Sequence, residues 1–175
     1  MGLIAVAQGC CNLEYLHIQL TNISNEALEC IGTNLKNLRA LFLIVCKEED
    51  DVETISPLDS GFRAMLIGCT KLEKLCINLY EEYLTDVGLG FIGKYGINLR
   101  SLSLARIEGS DEGLRALSKG CPRLRKFRMQ GCDFSEQAIT NFLLNVNSLR
   151  LRIKSIPIKV NVFAWKIFLD RLPTR

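Results

Sequence analysis

The chain has 175 residues, of which 48% are hydrophobic and 23% are charged, and its formal net charge is +3. This composition is typical of a soluble protein that can build a sizeable apolar core. No segment approaches the roughly 18 uninterrupted apolar residues of a membrane helix, so the sequence does not predict a membrane protein.

One apolar pattern recurs five times: a leucine followed three and five residues later by further apolar residues. The copies begin at Leu13, Leu38, Leu72, Leu99 and Leu124, at spacings of 25, 34, 27 and 25 residues. Apolar residues two positions apart share one face of an extended strand. The pattern therefore predicts five parallel strands, near residues 14–19, 39–44, 73–78, 100–105 and 125–130.

A second pattern follows the strands, in which Ser or Thr precedes acidic or amide residues and then apolar residues at helical spacing. A hydroxyl at that position can accept a hydrogen bond from the first turn of a helix. The pattern predicts helices that open near Ser24, Thr85, Ser110 and Ser135, and a further helix is expected near Ser60, after the second strand. Neither element can bury its apolar face alone, so the units must stack. We therefore expect residues 1–150 to form an α/β leucine-rich-repeat solenoid of about five repeats, right-handed, with parallel strands on the concave face and helices outside.

Three of the eight cysteines, Cys10, Cys69 and Cys121, follow a glycine and stand three residues before a strand leucine. Their recurrence in one slot predicts a small buried thiol at the corner between helix and strand. No pair has Cys-x-x-Cys spacing, and the single histidine, His17, has no partner at ligand spacing, so we expect no metal site and no bound zinc. Structural thiols imply an intracellular, reducing compartment.

The sequence carries no recognisable catalytic motif. It has no Gly-x-Ser-x-Gly elbow, no phosphate-binding loop and no second histidine that could act with His17 as a general base. An acidic run from Glu48 to Glu53 coincides with the one spacing of 34 residues, and it is interpreted as a solvated inserted loop and not as a metal or partner site. We therefore expect neither an enzyme nor a cofactor, and we assign no catalytic residue.

The residues from Arg150 onward differ from the rest of the chain in charge. They include seven basic residues and one acidic residue, whereas residues 1–149 hold 15 basic and 18 acidic residues. Arg152 stands where the repeat would place an inward apolar residue, so residues 151–175 are predicted to form a basic helical tail and not a sixth repeat. Aromatic and aliphatic residues are interleaved with these charges, which favours an orphaned core helix over a nucleic-acid or lipid-binding segment.

Several stretches go beyond the general repeat pattern. They are Leu3-Ile4-Ala5-Val6-Ala7-Gln8-Gly9-Cys10, Leu13-Glu14-Tyr15, Leu84-Thr85-Asp86-Val87-Gly88-Leu89, Gly109-Ser110-Asp111-Glu112-Gly113-Leu114 and Gly131-Cys132-Asp133-Phe134-Ser135-Glu136. On these stretches, residues 3–150 resemble the carboxy-terminal repeats of the coronatine-insensitive family, the plant F-box leucine-rich-repeat proteins that act as jasmonate co-receptors.

The resemblance implies a nuclear substrate-receptor subunit of a cullin-RING ubiquitin ligase, which captures a transcriptional repressor with a jasmonate conjugate. It also implies that pocket tyrosines would fall at Gln19, Asn78 and Arg106, and pocket arginines at Phe42 and Gln130. A carboxylate ligand removed from water needs fixed cationic donors, and a buried apolar ligand needs aromatic walls. Because none of the five residues is kept, we expect a truncated relative without hormone binding, whose partner would be a protein. The amino-terminal F-box is expected to be absent, so docking of the ligase adaptor is not expected.

The end of the chain resembles a different kind of protein. The stretches Ile156-Pro157-Ile158-Lys159-Val160-Asn161-Val162-Phe163-Ala164-Trp165 and Asp170-Arg171-Leu172-Pro173-Thr174 carry this resemblance. On them, residues 155–175 are similar to the amino-terminal part of the zinc-binding region beside reverse transcriptases in plant retroelements. This resemblance adds two alternative interpretations: a nucleic-acid-binding fragment that acts through the basic tail, and a nonfunctional gene-fusion product.

Overall fold

The computed structural model describes residues 2–46, 56–79, 83–146 and 149, in which helices and strands alternate. The strands β1 to β5 span Tyr15–Leu20, Ala40–Val45, Lys74–Asn78, Ser101–Ala105 and Lys126–Gln130. The helices α1 to α6 span Gly2–Gly9, Asn25–Asn34, Asp59–Gly68, Asp86–Tyr95, Asp111–Ser118 and Glu136–Asn145. The acidic run and the predicted tail, residues 151–175, lie outside the described residues.

The five strands form one parallel sheet in the order β1-β2-β3-β4-β5. Each strand pairs in register with the strand of the next repeat, as Leu16 does with Leu41 and Leu102 with Phe127. Every connection between neighbouring strands returns through a helix, as a right-handed parallel arrangement requires. This arrangement confirms the predicted leucine-rich-repeat solenoid, with the strands on its concave face and the helices outside.

Each strand begins one residue later than predicted. The carbonyl oxygen of Glu14 accepts hydrogen bonds from both Arg39 N, at 2.7 Å, and Ala40 N, at 3.0 Å, and the same doubled bond recurs where each later strand begins. Because two successive amide groups share one acceptor, regular pairing starts only at the second of them.

The inward side chains of the strands and the inner faces of the helices form one continuous core. Leu41 and Leu43 on β2 and Leu102 and Leu104 on β4 have no exposed surface. Burial of each such side chain contributes roughly 1.5–3 kcal/mol relative to leaving it exposed. The inward residues of β5 are only partly buried, because that strand has a described neighbour on one side only.

All five predicted helices are present, and four of them begin directly after the predicted hydroxyl residue. Ser24, Thr85, Ser110 and Ser135 are the N-cap residues of α2, α4, α5 and α6, and each hydroxyl oxygen accepts a backbone N–H of the first turn. The helix predicted near Ser60 is present, but Ser60 lies inside its first turn and is not its cap. Helix α3 begins at Asp59, because the carbonyl of the preceding leucine already accepts the first helical bond, and no side chain caps it.

The cysteine predicted to be buried at the corner between helix and strand is buried at Cys69 and Cys121 but exposed at Cys10. Cys69 Sγ lies 3.5 Å from the carbonyl oxygen of Leu35, and Cys121 Sγ lies 3.4 Å from that of Ile92. Burial raises the pKa of Cys69 to about 11 and that of Cys121 to about 12, so both stay protonated at neutral pH. Cys10 is exposed, because among the described residues no helix of a preceding repeat lies beside it. The prediction of a buried Cys10 is therefore wrong.

Candidate functional site

The outward side chains of the five strands form one continuous surface, called here the concave face. They are Tyr15, His17 and Gln19; Ala40, Phe42 and Ile44; Lys74, Cys76 and Asn78; Ser101, Ser103 and Ala105; and Lys126, Arg128 and Gln130. The register of the sheet aligns these residues in three rows that cross the strands. Neighbouring strands are about 4.8 Å apart, so each row spans about 19 Å.

An aromatic cluster covers the β1 end of the concave face. The ring centroid of Phe42 lies 5.3 Å from that of Tyr15 and 5.6 Å from that of His17. Tyr15 is 57% exposed and Phe42 is half-buried, so the cluster presents aromatic surface to solvent. Tilted ring pairs at these separations are mutually favourable, and the strands below hold the three rings in place. This end of the face is therefore a preformed site for an apolar group.

The opposite end of the concave face is basic. Lys126 and Arg128 on β5 are exposed, as is Lys74 on β3. None of the outward strand residues is acidic. The face therefore changes from aromatic at β1 and β2 to cationic at β5.

Charges also alternate along the edge from which the strands begin. Arg39 Nε lies 3.5 Å from Glu14 Oε2, and Arg39 Nη1 lies 3.2 Å from Glu73 Oε1. On the other side of Glu73, its Oε2 lies 3.6 Å from Arg100 Nε. Arg125 takes the next position in this row, and within the described ranges it forms no ion pair. Exposed pairs of this kind contribute at most about 1 kcal/mol each. The pairs matter more for the charge of the surface, because they neutralise the acidic groups of this edge while the β5 end stays positive.

Four of the five positions at which the resemblance implies pocket residues lie on the concave face. Gln19, Asn78 and Gln130 share one row, and Phe42 lies in the adjacent row. Arg106 follows β4 in the left-handed backbone region, with φ 56°, and its N–H donates to the Gln130 carbonyl at 2.9 Å. Gln19 and Gln130 are four strands apart, about 19 Å. The five residues form a band across the sheet and do not converge on one enclosed pocket.

Two amide side chains in this band differ in their hydrogen bonding. Gln19 Nε2 donates to Cys46 Sγ at 3.1 Å. Asn78 Oδ1 is buried and has no hydrogen-bond partner among the residues that the structure describes. A buried acceptor without a partner costs about 1–3 kcal/mol.

In the sequence, the apolar pattern marks two outward positions on each strand and does not mark a third. The marked residues are His17 and Gln19, Ala40 and Phe42, Cys76 and Asn78, Ser101 and Ser103, and Arg128 and Gln130. The missed residues are Tyr15, Ile44, Lys74, Ala105 and Lys126. The alternation of side chains, extended by one more step along each strand, would have found them. The contacts of Phe42 with the rings of Tyr15 and His17 could not be predicted from the sequence pattern, since they depend on the register of β1 against β2.

Two observations concern other classes of site. None of the helices in the described ranges is long and apolar enough to cross a bilayer. Over the same ranges, no group of three or more His, Cys, Asp or Glu side chains is placed to hold a metal ion.

The chain has relatives among known proteins over most of its length. It is 47% identical over 146 residues to coronatine-insensitive protein 1 of Arabidopsis thaliana, which covers 83% of this chain and 24% of that protein. It is 45% identical over 150 residues to coronatine-insensitive protein homolog 2 of Oryza sativa subsp. indica, covering 86% and 25%. It is 31% identical over 151 residues to F-box protein FBX14 of Arabidopsis thaliana, covering 86% and 24%. No family model matches the chain.

The chain spans about a quarter of the length of the curated relatives it matches. The resemblance of residues 155–175 to a retroelement region finds no support among these relatives. The resemblance of residues 3–150 does, because several coronatine-insensitive proteins are 41–47% identical to the chain. Over as much as 86% of its length, the chain is a leucine-rich-repeat array similar to a segment of the coronatine-insensitive proteins.

Proposed function

We propose that this array is a protein-binding relative of the plant F-box receptors and that its concave face contacts the partner. The observation that carries the proposal is the aromatic cluster of Tyr15, His17 and Phe42, which stands in register with Arg128 on a face without acidic residues. Exposed aromatic rings and arginine are enriched where proteins bind each other. The resemblance makes a transcriptional repressor the candidate partner.

The same proposal excludes capture of a jasmonate conjugate. Phe42 and Gln130 stand where the resemblance implies arginines, and the band that contains them extends across the sheet. A hydrogen bond to a charged group contributes about 1.5–3 kcal/mol, so the loss of two such partners weakens binding on the order of a hundredfold or more. The side chains of the band supply mainly amides in place of tyrosine hydroxyls.

Isothermal titration calorimetry on the full chain tests both parts of this proposal. We expect no measurable heat from the jasmonate conjugate, and we expect binding of a repressor peptide that does not change when the conjugate is added. Micromolar or tighter binding of the conjugate would refute the absence of hormone capture.

A matched pair of variants tests whether the concave face is the binding surface. Phe42→Asp should abolish binding of the repressor peptide, because it places a carboxylate in the aromatic cluster. Val87→Asp is the control: it makes the same kind of change at a 57% exposed position in the first turn of α4, where a negative charge is tolerated. Equal loss in both variants would point to a different surface.

The wider role is part of the same proposal. We place the protein inside the cell, in a reducing compartment and in the nucleus by resemblance, as a relative of the substrate receptors of ubiquitin ligases. Eight free thiols support the reducing compartment. Fractionation of cells that express the tagged chain tests the location, and an extracellular or membrane fraction as the main pool would contradict it.

A further inference from the structure

We propose that the concave face binds an extended acidic peptide that crosses the strands. An apolar side chain of the peptide rests on the aromatic cluster of Tyr15, His17 and Phe42, and a carboxylate meets Lys126 and Arg128. This inference rests on the proposed protein-binding function and adds the chemical class of the segment that is bound.

Phe42 is the centre of the apolar end. Its ring has Tyr15 and His17 as neighbours on β1, at 5.3 and 5.6 Å between centroids, and Ile44 lies two residues further along the same face of β2. Rings that are already held by neighbours lose little freedom when a ligand covers them. The apolar surface that remains exposed here therefore favours an aromatic or aliphatic side chain.

Positive charge collects at the other end of the face. Residues 123–128 contain four basic residues and no acidic residue. Glu14 and Glu73, at the edge where the strands begin, are already paired with arginines and offer little compensation. The complementary group for Lys126 and Arg128 is therefore an anion, and in a peptide that group is the side chain of Asp or Glu.

The separation of the two ends fits a short peptide. Phe42 and Arg128 lie in the same row, three strand spacings apart, which is about 14 Å. An extended chain covers about 3.3 Å per residue, so about four residues join an apolar anchor to an acidic group. Cys76 and Ser103 lie between the two ends and leave room for a backbone.

A peptide fits this surface better than a single-stranded nucleic acid. Nucleic-acid strands bind where aromatic rings for successive bases follow a continuous cationic track. On this face the rings lie on β1 and β2, while two of the three basic strand residues lie on β5. One apolar group and one acidic group at a fixed spacing describe a peptide motif.

Fluorescence anisotropy with the full chain tests the inference. The labelled probe contains a phenylalanine, then three Gly or Ser residues, then two glutamates, and a second probe carries the reverse order. Comparison peptides replace the glutamates by glutamine or the phenylalanine by alanine. We expect one of the two acidic probes to bind, and each replacement to weaken binding roughly tenfold. Added salt should weaken the acidic probe and leave the glutamine peptide unchanged.

Two double variants separate a specific contact from general attraction by charge. Lys126→Gln with Arg128→Gln should weaken the acidic probe roughly tenfold. Arg115→Gln with Lys119→Gln removes the same two residue types from α5 and its cap, and it should change binding by less than about twofold. Circular dichroism of each variant confirms that the array is folded.

Several results would overturn the inference: no binding of either acidic probe, equal binding of the glutamine peptide, equal weakening in the two double variants, or equal affinity for a single-stranded oligonucleotide. The proposed function fails separately. If the repressor peptide still binds in a manner that depends on Phe42 while the acidic probes do not bind, protein binding stands and only the acidic-peptide inference falls.

Discussion

The carboxylate of Asp86 accepts two hydrogen bonds from Ser110, one from the backbone N–H at 2.8 Å and one from the hydroxyl at 2.5 Å. Asp86 is the first residue of α4, and Ser110 is the N-cap of α5 in the next repeat. The same pair of bonds joins Asp59 to Thr85 and Asp111 to Ser135. A Cβ at Gly113 would overlap the Asp86 carboxylate, so glycine makes room for this contact. Helix capping and the stacking of repeats therefore depend on the same atoms.

Removal of the Asp86 carboxylate should destabilise the array. Asp86→Ala leaves the N–H and hydroxyl of Ser110 without their acceptor, and we expect a loss of about 1–2 kcal/mol in the free energy of unfolding. Urea denaturation followed by circular dichroism measures it. Asp133→Ala, at an exposed position, is the control and should change stability by less than about 0.5 kcal/mol. Equal losses in the two variants would show that the inter-repeat bonds do not contribute to stability.

The hydrogen bonds between the Asp residues and the N-cap residues of the next repeat also predict how stability depends on pH. Hydrogen bonds from the Ser135 hydroxyl and N–H, with a smaller effect of the Arg115 charge, hold the pKa of Asp111 below its usual 3.8. Because this pKa is lower in the folded chain than in the unfolded chain, the ionised carboxylate adds stability above the unfolded value. That stability is lost as the pH falls through the folded value. We expect urea midpoints to fall below about pH 4, and to fall less in Asp111→Asn, which already lacks the charge at neutral pH. Parallel acid profiles for the two proteins would contradict this assignment.

A third prediction concerns the close approach of neighbouring helices. A Cβ at Gly68 would overlap the carbonyl oxygen of Gly32 on α2, and backbone atoms cannot move aside without separating the helices. We expect Gly68→Ala to cost about 2–4 kcal/mol in the free energy of unfolding. Gly90→Ala is the matched control, because its Cβ would make an ordinary contact at 3.6 Å with Ala116. That variant should gain about 0.5–1 kcal/mol from its position inside a helix. Urea denaturation of both variants gives the sign of each change.

The sequence predicted the sheet well because its signal is local. Leucines two residues apart repeat at every strand, and each copy needs the same burial, so strand order and core follow from the pattern alone. The cap of α3 was not identified, because Ser60 is followed by Gly61 and Phe62 and not by the acidic or amide residues of the capping pattern, and the helix already begins at Asp59. Cys10 was misjudged for a related reason, since its burial depends on a neighbouring helix and not on its own sequence context.

The candidate site was harder to predict because it depends on register. The aromatic cluster exists only because β1 and β2 pair so that Phe42 stands opposite His17. The motif Ser110-Asp111-Glu112-Gly113 was interpreted as a helix start, and it also links three repeats through Asp86 and Ser135. Contacts between residues about 25 positions apart cannot be predicted from a pattern that covers only neighbouring residues.

The division of the chain near residue 150 is a prediction of the sequence. By the repeat spacing, Arg152 stands where a sixth repeat would need an inward apolar residue, and burial of an unpaired guanidinium there would cost several kcal/mol. Deletion of residues 152–175 should therefore leave the circular dichroism signal of the array nearly unchanged. Unfolding of the whole array after deletion would instead show that these residues form an integral cap.

The cysteines give a final test that separates the burial of individual residues. Cys69 and Cys121 are buried, and their raised pKa values keep the thiolate population small at neutral pH, so they should resist a thiol reagent until the chain unfolds. Cys10 and Cys11 are exposed and should be among the first to react.

Serine variants of a buried and an exposed cysteine test the same difference in burial through stability. Cys69→Ser puts a more strongly polar hydroxyl into the core and should cost about 1–2 kcal/mol, whereas Cys10→Ser should remove one fast-reacting thiol with little change in stability. Slow labelling of Cys10 together with a stability loss in Cys10→Ser would show that a neighbouring element covers this corner after all.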